Sequence, residues 1–155
     1  MSKGKMTQFL HDDDATICYI EGKGALAMGI AYFNPEGCEK KPSTLVGETI
    51  AYHKALKEYY QQLIERQESK VKTLKDFGVY LFPDRFQGRQ IDWIKQRYEK
   101  KIAEEIKKLA ELKQAKEDAK KYLQDYVDGR KFFLEKLSKK RAQQHAIEES
   151  TTPKN

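Results

Sequence analysis

Apolar positions along the chain change period twice. Ala15-Thr-Ile-Cys-Tyr-Ile20 is β-branched and aromatic, and Ala25 to Phe33 is a second apolar run. Glu21-Gly22-Lys23-Gly24 between them has turn composition, so residues 15–33 predict a β-hairpin that Asn34-Pro35-Glu36-Gly37 stops. Beyond Ser43 and Thr44, either of which can cap a helix, Val46, Ile50, Leu56, Tyr60, Leu63, Val71, Leu74 and Phe77 recur at separations near three and four or their multiples. That spacing predicts a helix over 45–77, ended by Gly78.

Residues 79–88 read as an apolar, aromatic connection broken by Pro83 and Gly88. Helical spacing resumes at Ile91, Ile94, Tyr98, Ile102, Leu109, Leu112, Ala119, Leu123 and Tyr126, which predicts a second helix over 89–127. Asp128-Gly129 is a candidate break before a third helix over 130–147. Residues 1–14 lack periodicity and are expected to form a loose tail, and 148–155 a polar one. The fold expected is α+β and mostly helical: an N-terminal β-hairpin packed on a long antiparallel helical hairpin, with a basic C-terminal helix, as one elongated domain over 15–147.

The quoted hairpin and helix start carry a resemblance. Residues 24–64 contain Gly24-Ala-Leu-Ala-Met-Gly-Ile-Ala-Tyr-Phe-Asn-Pro-Glu36, then Val46-Gly47-Glu48-Thr-Ile50-Ala51, Lys54-Ala55-Leu56 and Gln62-Leu63-Ile64. This resembles a family of short bacterial and phage proteins of unknown function, similar in fold to double-stranded RNA-binding domains. The resemblance implies a β-hairpin on a helix and a phage or mobile-element setting. It does not carry RNA binding across, because the phosphate-clamping lysine cluster has no counterpart here.

Composition narrows the function classes. No apolar run reaches the ~18–20 residues that a membrane helix needs, and Met1-Ser2-Lys3-Gly4-Lys5 leads into His11-Asp12-Asp13-Asp14 rather than an apolar signal core, so a cytoplasmic protein is expected. Cys18 and Cys38 form no zinc spacing and read as buried free thiols. His11 to Asp14 could supply metal ligands, but a metal needs a fixed cage, and a short acidic patch on a tail is ordinarily solvated charge. Gly22-Lys23-Gly24 lacks the third glycine of a dinucleotide loop, since Ala27 stands there. His53 has no nucleophile or orienting acid nearby in sequence, and Glu48 and Glu58 lie ~15 Å apart along one helix. Neither an enzyme nor a cofactor is expected.

The net charge of +6 is concentrated. Residues 1–42, 43–88, 89–129 and 142–155 carry −1, +1, +2 and −1, whereas 130–141 alone carry +5. Closely spaced cations release counterions on contact with phosphate, so Arg130, Lys131, Lys136, Lys139, Lys140 and Arg141 are the candidate nucleic-acid footprint. Their bland alternative is a solvated helix end. A second constellation alternates aromatics with arginines: Tyr80, Phe82, Arg85, Phe86, Arg89, Trp93 and Arg97. The arginines could assist at unpaired bases, and Tyr80, Phe82, Phe86 and Trp93 could dock a protein partner. Equally, these aromatics could plug the end of the helical hairpin, because Trp93 lies beside Ile91 and Ile94.

Two readings follow. The first is a non-enzymatic phage or mobile-element accessory protein that binds nucleic acid or a nucleoprotein complex. The second is a protein-binding inhibitor of a host enzyme or defence complex, comparable to an anti-CRISPR or host-takeover factor. Two long amphipathic helices could also complete a bundle by dimerising, as a homodimer with coiled-coil packing.

Overall fold

The computed structural model describes residues 4–32, 44–81 and 89–151, with side chains left undescribed at 79–81 and 89–91. Three strands, β1 (Met6–His11), β2 (Ala15–Gly22) and β3 (Ala25–Tyr32), precede two helices, α1 (Thr44–Leu81) and α2 (Arg89–Thr151). The fold is α+β and mostly helical, as the sequence predicts. The sheet is antiparallel in the order β1-β2-β3.

The expected tail holds a strand. Met6–His11 pairs along β2 from Met6 opposite Glu21 to His11 opposite Thr16, and the aspartates form the turn between them. Asp12 and Ala15 exchange backbone hydrogen bonds of 2.8 and 3.4 Å, while the Asp12 carboxylate accepts from the Asp13 amide at 2.8 Å. The acidic run therefore serves as a two-residue hairpin turn closed by backbone bonds. At the next turn Lys23 and Gly24 both adopt positive φ, 49° and 74°, the geometry of a tight hairpin.

Strand alternation divides the sheet into two faces. Thr16, Cys18, Ile20, Ala25, Ala27 and Ala31 are buried against α1, where Ala51, Ala55 and Tyr59 meet them. Gly29 lies in the middle of this contact, and a methyl group there would overlap the Ala51 carbonyl and the Ala55 amide. Small residues on both surfaces therefore let the helix backbone lie directly on the sheet. On the opposite face the register aligns Leu10, Ile17 and Ile30 in one row, Gln8, Tyr19 and Met28 in a second, and Met6, Glu21 and Leu26 in a third.

The edges of the sheet differ. At β3 the Gln62 side chain donates to the Leu26 carbonyl at 2.8 Å and accepts from its amide at 3.2 Å, as a neighbouring strand would. Lys54 donates to the Ile30 carbonyl at 2.9 Å. By the same alternation the outward backbone groups of β1 belong to Thr7, Phe9 and His11, and no described side chain bonds to them.

α1 is covered on two sides, by the sheet and by α2. The helices run antiparallel, joined by Tyr98 O–H to the Leu74 carbonyl, Gln67 to Glu105, Lys116 to Gln61 at 2.6 Å, and His53 stacked on Tyr122 at 4.2 Å. On α2, Tyr98, Ile102, Glu105, Leu109, Leu112, Lys116, Ala119, Leu123, Tyr126 and Arg130 are buried or half-buried at alternating spacings of four and three, with Ala115, Val127, Leu134 and Leu137 half-buried besides. This is the heptad seam of a coiled-coil pair.

Two expected helix stops are absent. Gly78 lies inside α1, where a methyl group would press on the Tyr98 ring, so this glycine permits close helix packing. Gly129 lies inside α2, which continues to Thr151 without a separate third helix. One glycine costs a helix about 1 kcal/mol relative to alanine, too little to break one so long, and Gln124 bonds to Asp128 across the preceding turn.

Candidate nucleic-acid interface

α2 has 63 residues and α1 has 38, so they cannot cover each other end to end. The paired residues place the start of α1, at Thr44, level with about Arg130 of α2. The last ~20 residues of α2 therefore project past its neighbour by about 30 Å. Every residue from 138 to 151 is exposed, and Phe133, which continues the heptad seam, is 55% exposed because α1 has ended.

The +5 segment coincides with this overhang. Lys131, Lys136, Lys139, Lys140 and Arg141 are exposed, and they reach no carboxylate among the described residues. Lys136 lies 4.6 Å from the centre of the Phe132 ring, a cation over a π face. Arg130 is half-buried at the base of the overhang and has a partner of its own. Upstream on α2, Lys108 is engaged with Glu105 at 3.1 Å and Lys113 with Glu68 at 2.9 Å, whereas Lys95, Lys100, Lys101, Lys107, Lys120 and Lys121 are exposed like the overhang cations. Within 130–141 the cations outnumber the acids six to one, Glu135 being the acid, so phosphates presented to the overhang would meet a dense positive surface.

The second constellation lies elsewhere. Trp93 precedes Arg130 by 37 residues on one continuous helix, roughly 55 Å, so Arg97 and the overhang cannot share one compact site. Trp93 is 58% and Ile94 49% exposed, with the Arg97 guanidinium 4.9 Å from the Trp93 ring centre. They line an open groove of about 620 Å³ with Tyr98, Lys101 and Glu104. Trp93 is thus not a buried plug. Phe82, Arg85 and Phe86 lie outside the described residues, as do the side chains of Tyr80 and Arg89.

The remaining candidates have structural partners. His11 Nε2 is 2.9 Å from Glu48 and its Nδ1 is 3.4 Å from the Thr16 hydroxyl. His53 donates through Nδ1 to the Thr49 carbonyl at 2.8 Å and stacks on Tyr122. Burial pushes the Cys18 thiol above its ordinary range, which keeps it protonated and inert; Cys38 lies outside the described residues. No cluster of three or more His, Cys, Asp or Glu with metal-holding geometry occurs among the described residues, and no described helix is long and apolar enough to cross a membrane.

Sequence reading missed Glu105, a carboxylate whose side chain is only 6% exposed although it occupies a seam position. Gln67 donates to it at 2.7 Å, with Lys108 at 3.1 Å and Lys70 at 3.2 Å, and these bonds hold its carboxyl down to about 2. The heptad register exposes it in retrospect, because it falls midway between Ile102 and Leu109. No family model, no curated protein and no solved structure matches the chain.

Proposed function

We propose that the protein is a non-enzymatic nucleic-acid-binding accessory factor of the cytoplasm whose contact element is the overhang of α2. The observation that carries this reading is the coincidence of the +5 segment with the part of α2 that extends past α1. The overhang extends past the packing of α1 and carries closely spaced cations, and a polyanion laid along it offsets their mutual repulsion. The resemblance at residues 24–64 agrees with a phage or mobile-element setting.

The test is binding to duplex and single-stranded oligonucleotides across a salt series. Changing Lys139, Lys140 and Arg141 together to Gln should weaken binding and reduce the slope of log affinity against log salt by roughly 2–3, with helicity retained. Wild-type protein that binds no nucleic acid at low salt ends the proposal.

A second reading rests on the exposed Trp93 and Ile94 with Arg97, residue types that dominate protein-binding hot spots. Here the protein would inhibit a host enzyme or defence complex through that end. Trp93→Ala should then abolish capture of a host protein that survives nuclease treatment, while a partner lost on nuclease treatment favours the first reading.

A further inference from the structure

Among the described residues, none covers the face of the sheet turned away from α1. Met6, Leu10, Leu26, Met28 and Tyr32 are 50, 55, 60, 48 and 75% exposed there, and Ile17, Tyr19 and Ile30 are half-buried. Only Gln8 and Glu21 interrupt this surface with polar side chains. Together these groups expose roughly 600 Å² of apolar surface, the upper limit of the largest patch on a typical monomer. A three-stranded sheet packed on one side only is half of a sandwich.

The other segments of this chain are poor covers. Residues 33–43 contain one large apolar side chain, Phe33, among glycine, prolines and charges. Residues 82–88 join helix ends that begin roughly 20 Å beyond Arg66, the last α1 residue to bond to the sheet. Phosphates are no better matched, since among the described residues the charged side chain facing outward between the strand ends is an acid, Glu21.

We infer that this face is a homodimer interface, in which two copies stack their sheets face to face about a two-fold axis through β2. A second copy supplies an equally apolar, equally charge-poor surface by construction, and the +6 charge of each chain lies chiefly on the distant overhang. The two faces would bury roughly 1,200 Å² in total, above the ~1,000 Å² expected of a specific contact. A hollow of about 250 Å³ lined by Met6, Gln8, Tyr19, Glu21 and Leu26 would receive a side chain of the other copy. This inference is independent of nucleic-acid binding.

The test measures mass by sedimentation equilibrium over a concentration range. Wild-type protein should move from 18.1 kDa towards twice that mass as concentration rises, and Met28→Glu should hold it at 18.1 kDa with its helical spectrum intact. In a Cys38→Ser background, Tyr19→Cys should give a covalent dimer with a short bismaleimide, a readout that needs no charge in the interface. Wild-type protein monomeric up to its solubility limit overturns the inference. So does a dimer that survives Met28→Glu, or one abolished by Phe9→Pro but not by Met28→Glu, which would place the contact on the edge of β1; absence of cross-linking in Tyr19→Cys has the same force.

Discussion

Gln67 on α1 donates through one side-chain nitrogen to both the carboxylate and the backbone carbonyl of Glu105 on α2, at 2.7 and 2.9 Å. An acid in an otherwise largely apolar seam is tolerated only because it is bonded in this way, with Lys70 and Lys108 completing the neutralisation. A slip of α2 along α1 would bring this carboxylate against apolar groups, so the pair fixes the register of the helices.

Acid should loosen the helical pair. The Glu105 carboxyl is held at about 2 by the Gln67 hydrogen bond and the two lysines, against 4.5 ordinarily. A lowered folded-state value means that its contribution is fully present above pH 4.5 and is lost as pH falls from there through about 2. Thermal melting followed by circular dichroism between pH 7 and pH 2 should show a decline that is shallower in Glu105→Gln, whose side chain does not titrate. Equal slopes in the two proteins would remove Glu105 from the account.

Gly29→Ala should destabilise the protein by about 3 kcal/mol, the upper end for overpacking, because its methyl group meets backbone rather than movable side chains. Urea unfolding measures this directly. A loss under 1 kcal/mol would mean that α1 sits further from the sheet than the contact of Ala51 and Ala55 requires.

Truncation of the seam should cost less than truncation of a deep core. Ile102→Ala and Leu109→Ala should each cost about 2 kcal/mol, the lower end for large aliphatic residues, because both are half-buried. Tyr98→Phe should cost about 1 kcal/mol through loss of its bond to the Leu74 carbonyl. Unchanged melting in all three would show that this stripe is not a packed face.

How far the sequence foretold this fold depended on whether each signal was periodic. The apolar runs of β2 and β3 and the helical spacing of α1 and of α2 as far as residue 127 lie where the sequence reading places them, whereas α2 continues to Thr151. β1 was illegible because an edge strand half-covered on one face and open on the other has no polar side to alternate with. Gly29, Ala51 and Ala55 add little to an apolar periodicity, although their role is to let backbones touch. Gly78 and Gly129 were read as stops, but inside long helices packing outweighs a local cost near 1 kcal/mol. The basic segment was visible as charge; that it extends past α1 was not, since helix length relative to a neighbour is a tertiary property.

Gly129→Ala should slow amide hydrogen exchange in the overhang. Nothing lies within 4 Å of the added methyl group, so only the helix propensity changes, by about 0.8–1 kcal/mol, or roughly fivefold in the local opening equilibrium. Exchange measured by mass spectrometry on peptides from 125–151 reads this. Faster exchange would indicate that the glycine is a working hinge.

Because α2 is one uninterrupted rod, Trp93 and Lys139 act as the two marks of a ruler. The 46 residues between them set a separation near 70 Å. Whatever each end grips is thereby held at a fixed spacing and angle, since the heptad seam locks rotation over most of that length. A target that engaged both the Trp93 end and the proposed overhang contact would have to present two sites at that spacing.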